Sequence, residues 1–217
     1  MSKGPSYMRL SLIGMAGSGK SHWSRKLEAE GFIRFCCDDL IAEKLGPELK
    51  NPDGTSMSVA DWMGFPYENR YREREERYLS LEAEVVQEII DYLESGTGGP
   101  QENIVVDTTG SVVYLRDSLL ERLSRLTTIV LLATPLAVKD RLLNAYMEHP
   151  HPMLWRGMFE RKPGESRLEA LSRCYSRLFT SRERLYRRHA AVTIGYHVRR
   201  KENFGIADFL ELIAYPY

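Results

Sequence analysis

Residues 14–21, Gly-Met-Ala-Gly-Ser-Gly-Lys-Ser, constrain what this chain can fold into more than any other stretch. They satisfy the pattern Gly-x4-Gly-Lys-Ser/Thr, and they lie in the context that pattern requires. A short, mostly apolar run at 8–13 precedes them, and helix-forming residues from 21 to 30 follow, ending at Gly31. A glycine-rich turn between strand and helix lets successive backbone N–H groups point inward around a polyphosphate, and the helix dipole adds positive potential at the same spot. Gly14, Ala16, Gly17, Ser18, Gly19, Lys20, Ser21 and His22 are therefore predicted to hold a nucleotide's phosphates, ATP in the first instance. Lys20 would reach the β- and γ-phosphate oxygens, and the Ser21 hydroxyl would ligate Mg2+. The glycines at 14, 17 and 19, followed by a lysine, do not have the spacing of a dinucleotide-binding fingerprint.

The rest of the composition narrows the setting. The 217 residues suffice for one α/β domain with a buried core but are few for two catalytic domains. Thirty basic residues balance thirty acidic ones, so no overall cationic field would draw in nucleic acid or an anionic membrane. No apolar run approaches the roughly 20 residues of a membrane-spanning helix, and residues 1–7 lack a signal-peptide core, so a cytoplasmic protein is expected. Cys36, Cys37 and Cys174 fit neither a disulfide framework nor a zinc site and read as free thiols. A monomer or weak dimer is expected.

Along the chain, apolar runs at 8–13, 32–36, 104–106, 128–132 and 192–196 alternate with helical stretches near 21–30, 39–45, 67–95, 112–126, 135–148, 167–189 and 205–214. That alternation implies an α/β fold, a parallel sheet covered by helices on both faces. The 67–95 helix has the strongest pattern, with Tyr71, Tyr78, Leu81, Val85, Ile89 and Leu93 recurring over a charged background. Asp39 is well placed to cap the helix it opens. Residues 48–66 read as a loop with one short helix. The stretch 149–165, rich in proline, glycine and arginine, reads as a mobile excursion in which His149 and His151 are loop polar residues.

Asp107 ends the 104–106 run, where phosphate-loop proteins place a metal-associated carboxylate. Neither an Asp-Glu pair at a strand end nor an Asn/Thr-Lys-x-Asp guanine-reading motif is present, which leaves the small kinases of nucleotides, sugars and other metabolites.

Four further segments carry a resemblance. Phe32-Ile33-Arg34-Phe35-Cys36-Cys37-Asp38-Asp39-Leu40-Ile41, Tyr71-Arg72-Glu73-Arg74-Glu75, Val105-Val106-Asp107-Thr108-Thr109-Gly110-Ser111-Val112, and Ser181–Tyr186 with Ala190–Ile194 follow the phosphate loop in order. Together they resemble the shikimate kinases, collinearly over residues 8–213. The resemblance implies a P-loop kinase fold with strand order 2-3-1-4-5, an acceptor-binding segment near 39–75 and a lid near 149–165. It further implies transfer of the γ-phosphoryl group of ATP to a small hydroxylated metabolite that carries a carboxylate. Asp39 would orient the attacking hydroxyl, Arg72, Gly110 and Arg182 would bind the acceptor, Ser21 and Asp107 would serve Mg2+, and Arg156 or Arg161 would swing over the phosphates. Lys20, Asp39 and Arg156 are thus the predicted catalytic residues.

The chain departs from the family pattern at Cys37, where an acidic residue near the metal is usual, and Asp38 or Asp107 could take over that task. It departs again at Thr108-Thr109, where glycines are usual, and two added side chains are expected to narrow or repolarise the acceptor pocket. Two other functions compete with an acid-carrying acceptor: a nucleoside or nucleotide kinase, with Trp62, Phe65 and Tyr67 stacking a base, and a non-catalytic ATP-binding regulator. If the phosphate loop drives transfer, Lys20→Ala lowers phosphoryl transfer severely while circular dichroism stays native, and a fully active variant overturns the assignment.

Overall fold

The computed structural model describes residues 7–51, 53–96 and 102–215. Five strands, β1 (Arg9–Ile13), β2 (Ile33–Cys36), β3 (Ile104–Asp107), β4 (Thr128–Leu132) and β5 (Val192–Ile194), form one parallel sheet in the order β2-β3-β1-β4-β5. Between and after them run α1 (Lys20–Ala29), α2 (Cys37–Leu45), α3 (Val59–Met63), α4 (Tyr71–Ser95), α5 (Asp117–Leu126), α6 (Lys139–Glu148), α7 (Arg167–His189) and α8 (Ile206–Ala214). This is the predicted α/β architecture and strand order.

A strand's side chains alternate between faces, and a parallel sheet buries both, so apolar residues at neighbouring positions are divided between two cores. Leu10, Leu12, Val105, Val130, Leu132, Val192 and Ile194 pack against Trp23 and Leu27 of α1 and Phe209 and Ile213 of α8. Ile13, Ile104, Val106, Ile129 and Leu131 join the larger core built with α2, α4, α5, α6 and α7. Ser11 is the polar exception among the buried residues of β1, and its hydroxyl bonds that of Thr127 at 2.8 Å, which removes the penalty of burying either.

One boundary difference bears on the cleft. The second helix starts at Cys37, so Asp39 is no cap: Asp38 and Asp39 both lie in its first turn, where the helix dipole favours carboxylates. Cys37 is fully buried in the large core and takes no part in a polar site.

Residues 149–165 contain no regular element, but the segment is pinned at its middle. Met153, Leu154 and Trp155 are buried, and the Trp155 ring meets Phe159 and Tyr175 edge-on at centroid distances of 5.9 and 6.2 Å. Tyr71 Oη donates to the Met153 carbonyl at 2.6 Å and accepts the Trp155 N–H at 2.8 Å. Only the flanks of the stretch are therefore exposed excursions. Trp155→Ala should destabilise the protein by about 3–5 kcal/mol in urea unfolding, the range for emptying a buried aromatic site, whereas a cost near zero would show the segment to be unanchored.

Candidate active site

The loop between β1 and α1 has the backbone that its glycines allow. Gly14, Gly17 and Gly19 take φ values of +142°, +76° and +100°, and a Cβ at Gly14 would stand 2.9 Å from the Leu132 carbonyl oxygen. Lys20 Nζ turns back over the loop and donates to the carbonyls of Gly14 at 2.9 Å and Met15 at 3.3 Å. A support appears here that the sequence reading missed. Arg199, nearly buried after β5, donates to the Ile194 carbonyl at 2.7 Å and to the Ser18 carbonyl at 3.1 Å, tying the phosphate loop to the far edge of the sheet. His22 is exposed at the start of α1, its ring edge-on to Trp23.

The loop opens into a cleft of about 400 Å3. Ala16, Gly17, Lys20 and Ser21 form its phosphate side, and Asp38 and Asp39 stand at the start of α2. Tyr78, Gly110, Ser111, His151, Pro152 and Arg182 complete the polar lining. Lys20, Ser21, Asp39, Gly110 and Arg182, predicted from separate segments, thus converge in one space. Asp38 joins them, with Tyr78 Oη donating to its carboxylate at 2.9 Å.

Other predicted residues lie elsewhere. Arg72 is 90% exposed on the outer side of α4, 3.6 Å from Glu76, because one residue along a helix is a turn of about 100° away from the buried Tyr71. Arg156 lines a separate cavity with Arg72, Glu75 and Trp155, and Arg161 donates to the Glu165 carbonyl at 2.7 Å. Neither arginine reaches the phosphate side. Asp107 is buried, and one oxygen of its carboxylate accepts from Ser24 Oγ at 2.8 Å and Arg34 Nη2 at 3.1 Å. Thr108 and Thr109 do not narrow the cleft, since both are buried and face inward, Thr108 donating to the Leu12 carbonyl and Thr109 to Glu82.

Glu82 is the second residue the sequence reading missed. It is wholly buried on α4, and its two carboxylate oxygens take the hydroxyls of Thr109 and Ser111, which fixes the turn carrying Gly110 and Ser111 into the cleft. Arg182, also buried, sits behind that turn, with Nε donating to Tyr114 Oη at 3.2 Å and Nη2 to the Leu154 carbonyl at 2.6 Å.

Burial shifts the ionisable groups of the site. It lowers the Lys20 ammonium's pKa, against the opposing pull of Asp107 and Asp38, and raises the Asp38 carboxylate's, against Lys20 and the Tyr78 bond. It pushes Glu82 up to about 7, although Ser111 and Thr109 favour its ionised form. Burial pushes the Cys36 thiol, which is beside Asp39 and Asp107, up to about 11.

As hard oxygen donors beside the phosphate loop, Ser21 and Asp38 suit Mg2+, which takes one or two protein ligands and completes its shell with phosphate and water. Among the described residues, no cluster of three or more His, Cys, Asp or Glu side chains could hold a metal by itself.

Solved structures share this architecture over nearly the whole chain. The shikimate kinase of Acinetobacter baumannii, in complex with shikimate, aligns with a TM-score of 0.58 at 22% identity, covering 95% of this chain and 92% of that one. The shikimate kinase of Bacteroides thetaiotaomicron aligns with a TM-score of 0.58 at 18% identity, over 96% and 99%, and that of Aquifex aeolicus with 0.56 at 18%, over 94% of each. No protein-family model and no curated protein matches the sequence. The chain has the α/β P-loop fold of these kinases.

The Glu82 shift has a sign that can be measured. Its pKa is raised from 4.5 to about 7 on folding, so the associated stability is fully present below about 4.5 and is lost as pH rises through about 7, by on the order of 3 kcal/mol. Glu82→Gln, neutral at every pH, should flatten the urea-unfolding profile between about pH 4.5 and pH 7. An unchanged slope would show that Glu82 does not titrate there.

Proposed function

We propose that this protein is an ATP-dependent phosphotransferase that moves the γ-phosphoryl group to a hydroxyl of a small metabolite. The observation that carries this reading is the shared cleft: the phosphate loop, with Lys20 and Ser21, faces the same 400 Å3 space as the carboxylates of Asp38 and Asp39 and the guanidinium of Arg182. A site for phosphates and a site for a hydroxyl thus lie within one small volume, and phosphoryl transfer needs chiefly such positioning and charge stabilisation.

In this reading the loop amides and Lys20 bind the phosphates and offset the charge that develops on the transferring group. Ser21 and Asp38 would hold Mg2+, which supplies further neutralisation of phosphate charge, while Asp107 fixes Ser24 and Arg34 behind them. Asp39 orients the acceptor hydroxyl and is open to it. Arg182 meets an anionic group of the acceptor alone, without Arg72, so an acceptor carboxylate gets one guanidinium contact instead of a clamp. The lid task passes from Arg156 to His151 and Pro152, the part of residues 149–165 that lines the cleft.

Shikimate is the first acceptor to test, since a neighbour of the same fold binds it. A base-stacking nucleoside kinase has less support: Trp62 is buried in the core, and Phe65 and Tyr67 stack on each other at 5.4 Å beside Tyr146 and Phe159. The proposed setting is a single cytoplasmic domain, monomeric or weakly dimeric.

The test is ADP release from Mg-ATP with shikimate and then with hydroxy acids, amino-acid alcohols, sugars and nucleosides. Acceptor-dependent release with a phosphorylated product is expected, and Asp39→Asn should lower kcat by about 100-fold or more with ADP affinity within about twofold. Nucleotide binding without transfer to any acceptor would overturn the reading in favour of an ATP-binding regulator.

A further inference from the structure

The phosphate loop is held from behind by a residue outside the cleft. Arg199 is 7% exposed and is not among the residues that line the 400 Å3 space. Its backbone N–H bonds the Gly195 carbonyl at 3.3 Å, and its Nη1 donates at 2.7 Å to the Ile194 carbonyl, which also accepts the Ala133 N–H at 3.1 Å. The guanidinium is thereby fixed to the paired ends of β4 and β5. From that fixed position Nη2 donates to the Ser18 carbonyl at 3.1 Å. Burial and the neighbouring Arg200 lower the guanidinium's pKa only to about 10, so it is charged at pH 7.

This bond sets a direction. The Ser18–Gly19 peptide is trans and planar, so its C=O and N–H point opposite ways, and a carbonyl held toward Arg199 turns the Gly19 N–H away from it. Local preference does not decide that orientation. Gly19, at φ +100°, populates both signs of φ at similar cost, so the peptide before it can flip unless something outside the loop holds it. Lys20 is no substitute, since its ammonium bonds the Gly14 and Met15 carbonyls, which belong to other peptides. Among the described residues the Gly19 N–H has no protein acceptor, which leaves it for a ligand of the loop. A charge-assisted bond at the carbonyl also polarises the peptide and strengthens its N–H as a donor.

We infer that Arg199 is a positioning residue for the nucleotide's phosphates: by holding the Ser18 carbonyl it turns the Gly19 N–H inward as a phosphate donor. This role rests on the phosphotransferase reading and adds to it a residue that sets nucleotide affinity without lining the cleft.

Amide spectra and calorimetry test it. In the wild-type protein, Mg-ADP should move the Gly19 amide resonance downfield, and tripolyphosphate, which has neither base nor sugar, should do the same. A Gly19 amide unmoved by either, although both bind, overturns the inference. Arg199→Met, which keeps most of the bulk but has no donor, should bind both probes about tenfold more weakly and show a reduced Gly19 shift. Arg199→Lys, which keeps the charge without the planar fork, should lose about threefold and takes the place of the methionine variant if that does not fold. General instability lowers the calorimetric stoichiometry, not the affinity of the folded molecules. Unchanged affinity for both probes overturns the Arg199 assignment, and so does weaker binding with an undiminished Gly19 shift. A loss for Mg-ADP without one for tripolyphosphate would put Arg199 at the base and also overturn it. If the wild-type protein binds neither probe, the phosphotransferase reading falls, and the Arg199 role with it.

Discussion

The phosphate loop and the groups that follow the strands in the cleft are placed by one constraint, the burial of a parallel sheet on both faces. With helices covering each face, the strands expose only their ends, and backbone and polar side chains meet where strands turn into helices. β1 is central in the order β2-β3-β1-β4-β5, so the loop that follows it is flanked by the ends of β3 and β4. The Gly14–Ser21 loop, Asp38 and Asp39 after β2, and the Thr108–Ser111 turn after β3 thereby become neighbours, though they are far apart in the chain. Arg199 after β5 reaches the same loop through the Ser18 carbonyl.

Beneath the cleft lies a layer of buried polar groups whose main effect is order. Glu82, Thr109 and Ser111 satisfy one another, and Arg182 is bonded to Tyr114 and Leu154. Each of these groups would be costly to bury alone, and their mutual satisfaction gives the Gly110 turn and the 153–155 anchor a single arrangement. The same low-dielectric surroundings weaken the charged form of Lys20 and strengthen its interactions with nearby carboxylates.

The long helix α4 shows where the sequence is legible and where it misleads. Its apolar repeat announces the helix, and α7 follows the expected span of 167–189 without change. Reading Tyr71-Arg72 as a linear motif, however, assigns function to an arginine that the helical period carries out to solvent. The inward face is Tyr71, Glu75, Tyr78 and Glu82, at intervals of four, three and four. A helical projection that kept glutamates among the apolar positions would have found Glu75 and Glu82, since a carboxylate in register with a buried stripe is either an error or a partner in a network. For His151 and Arg199 no comparable signal exists, because both lie outside regular elements.

The sequence alone determined the phosphate loop, the α/β class and most element positions, because these depend on local backbone conformation and on the periodicity of burial. Gly14, Gly17 and Gly19 are read directly as a turn with left-handed backbone, and alternating apolar runs are read as buried strands and helices. The tertiary structure alone decided which charged side chains share the cleft. It brought Asp38 and His151 in, sent Arg72 and Arg156 out, and turned Thr108 and Thr109 away from the cleft. Those outcomes depend on helix phase and on contacts between residues distant in the chain, and neither composition nor local spacing encodes them.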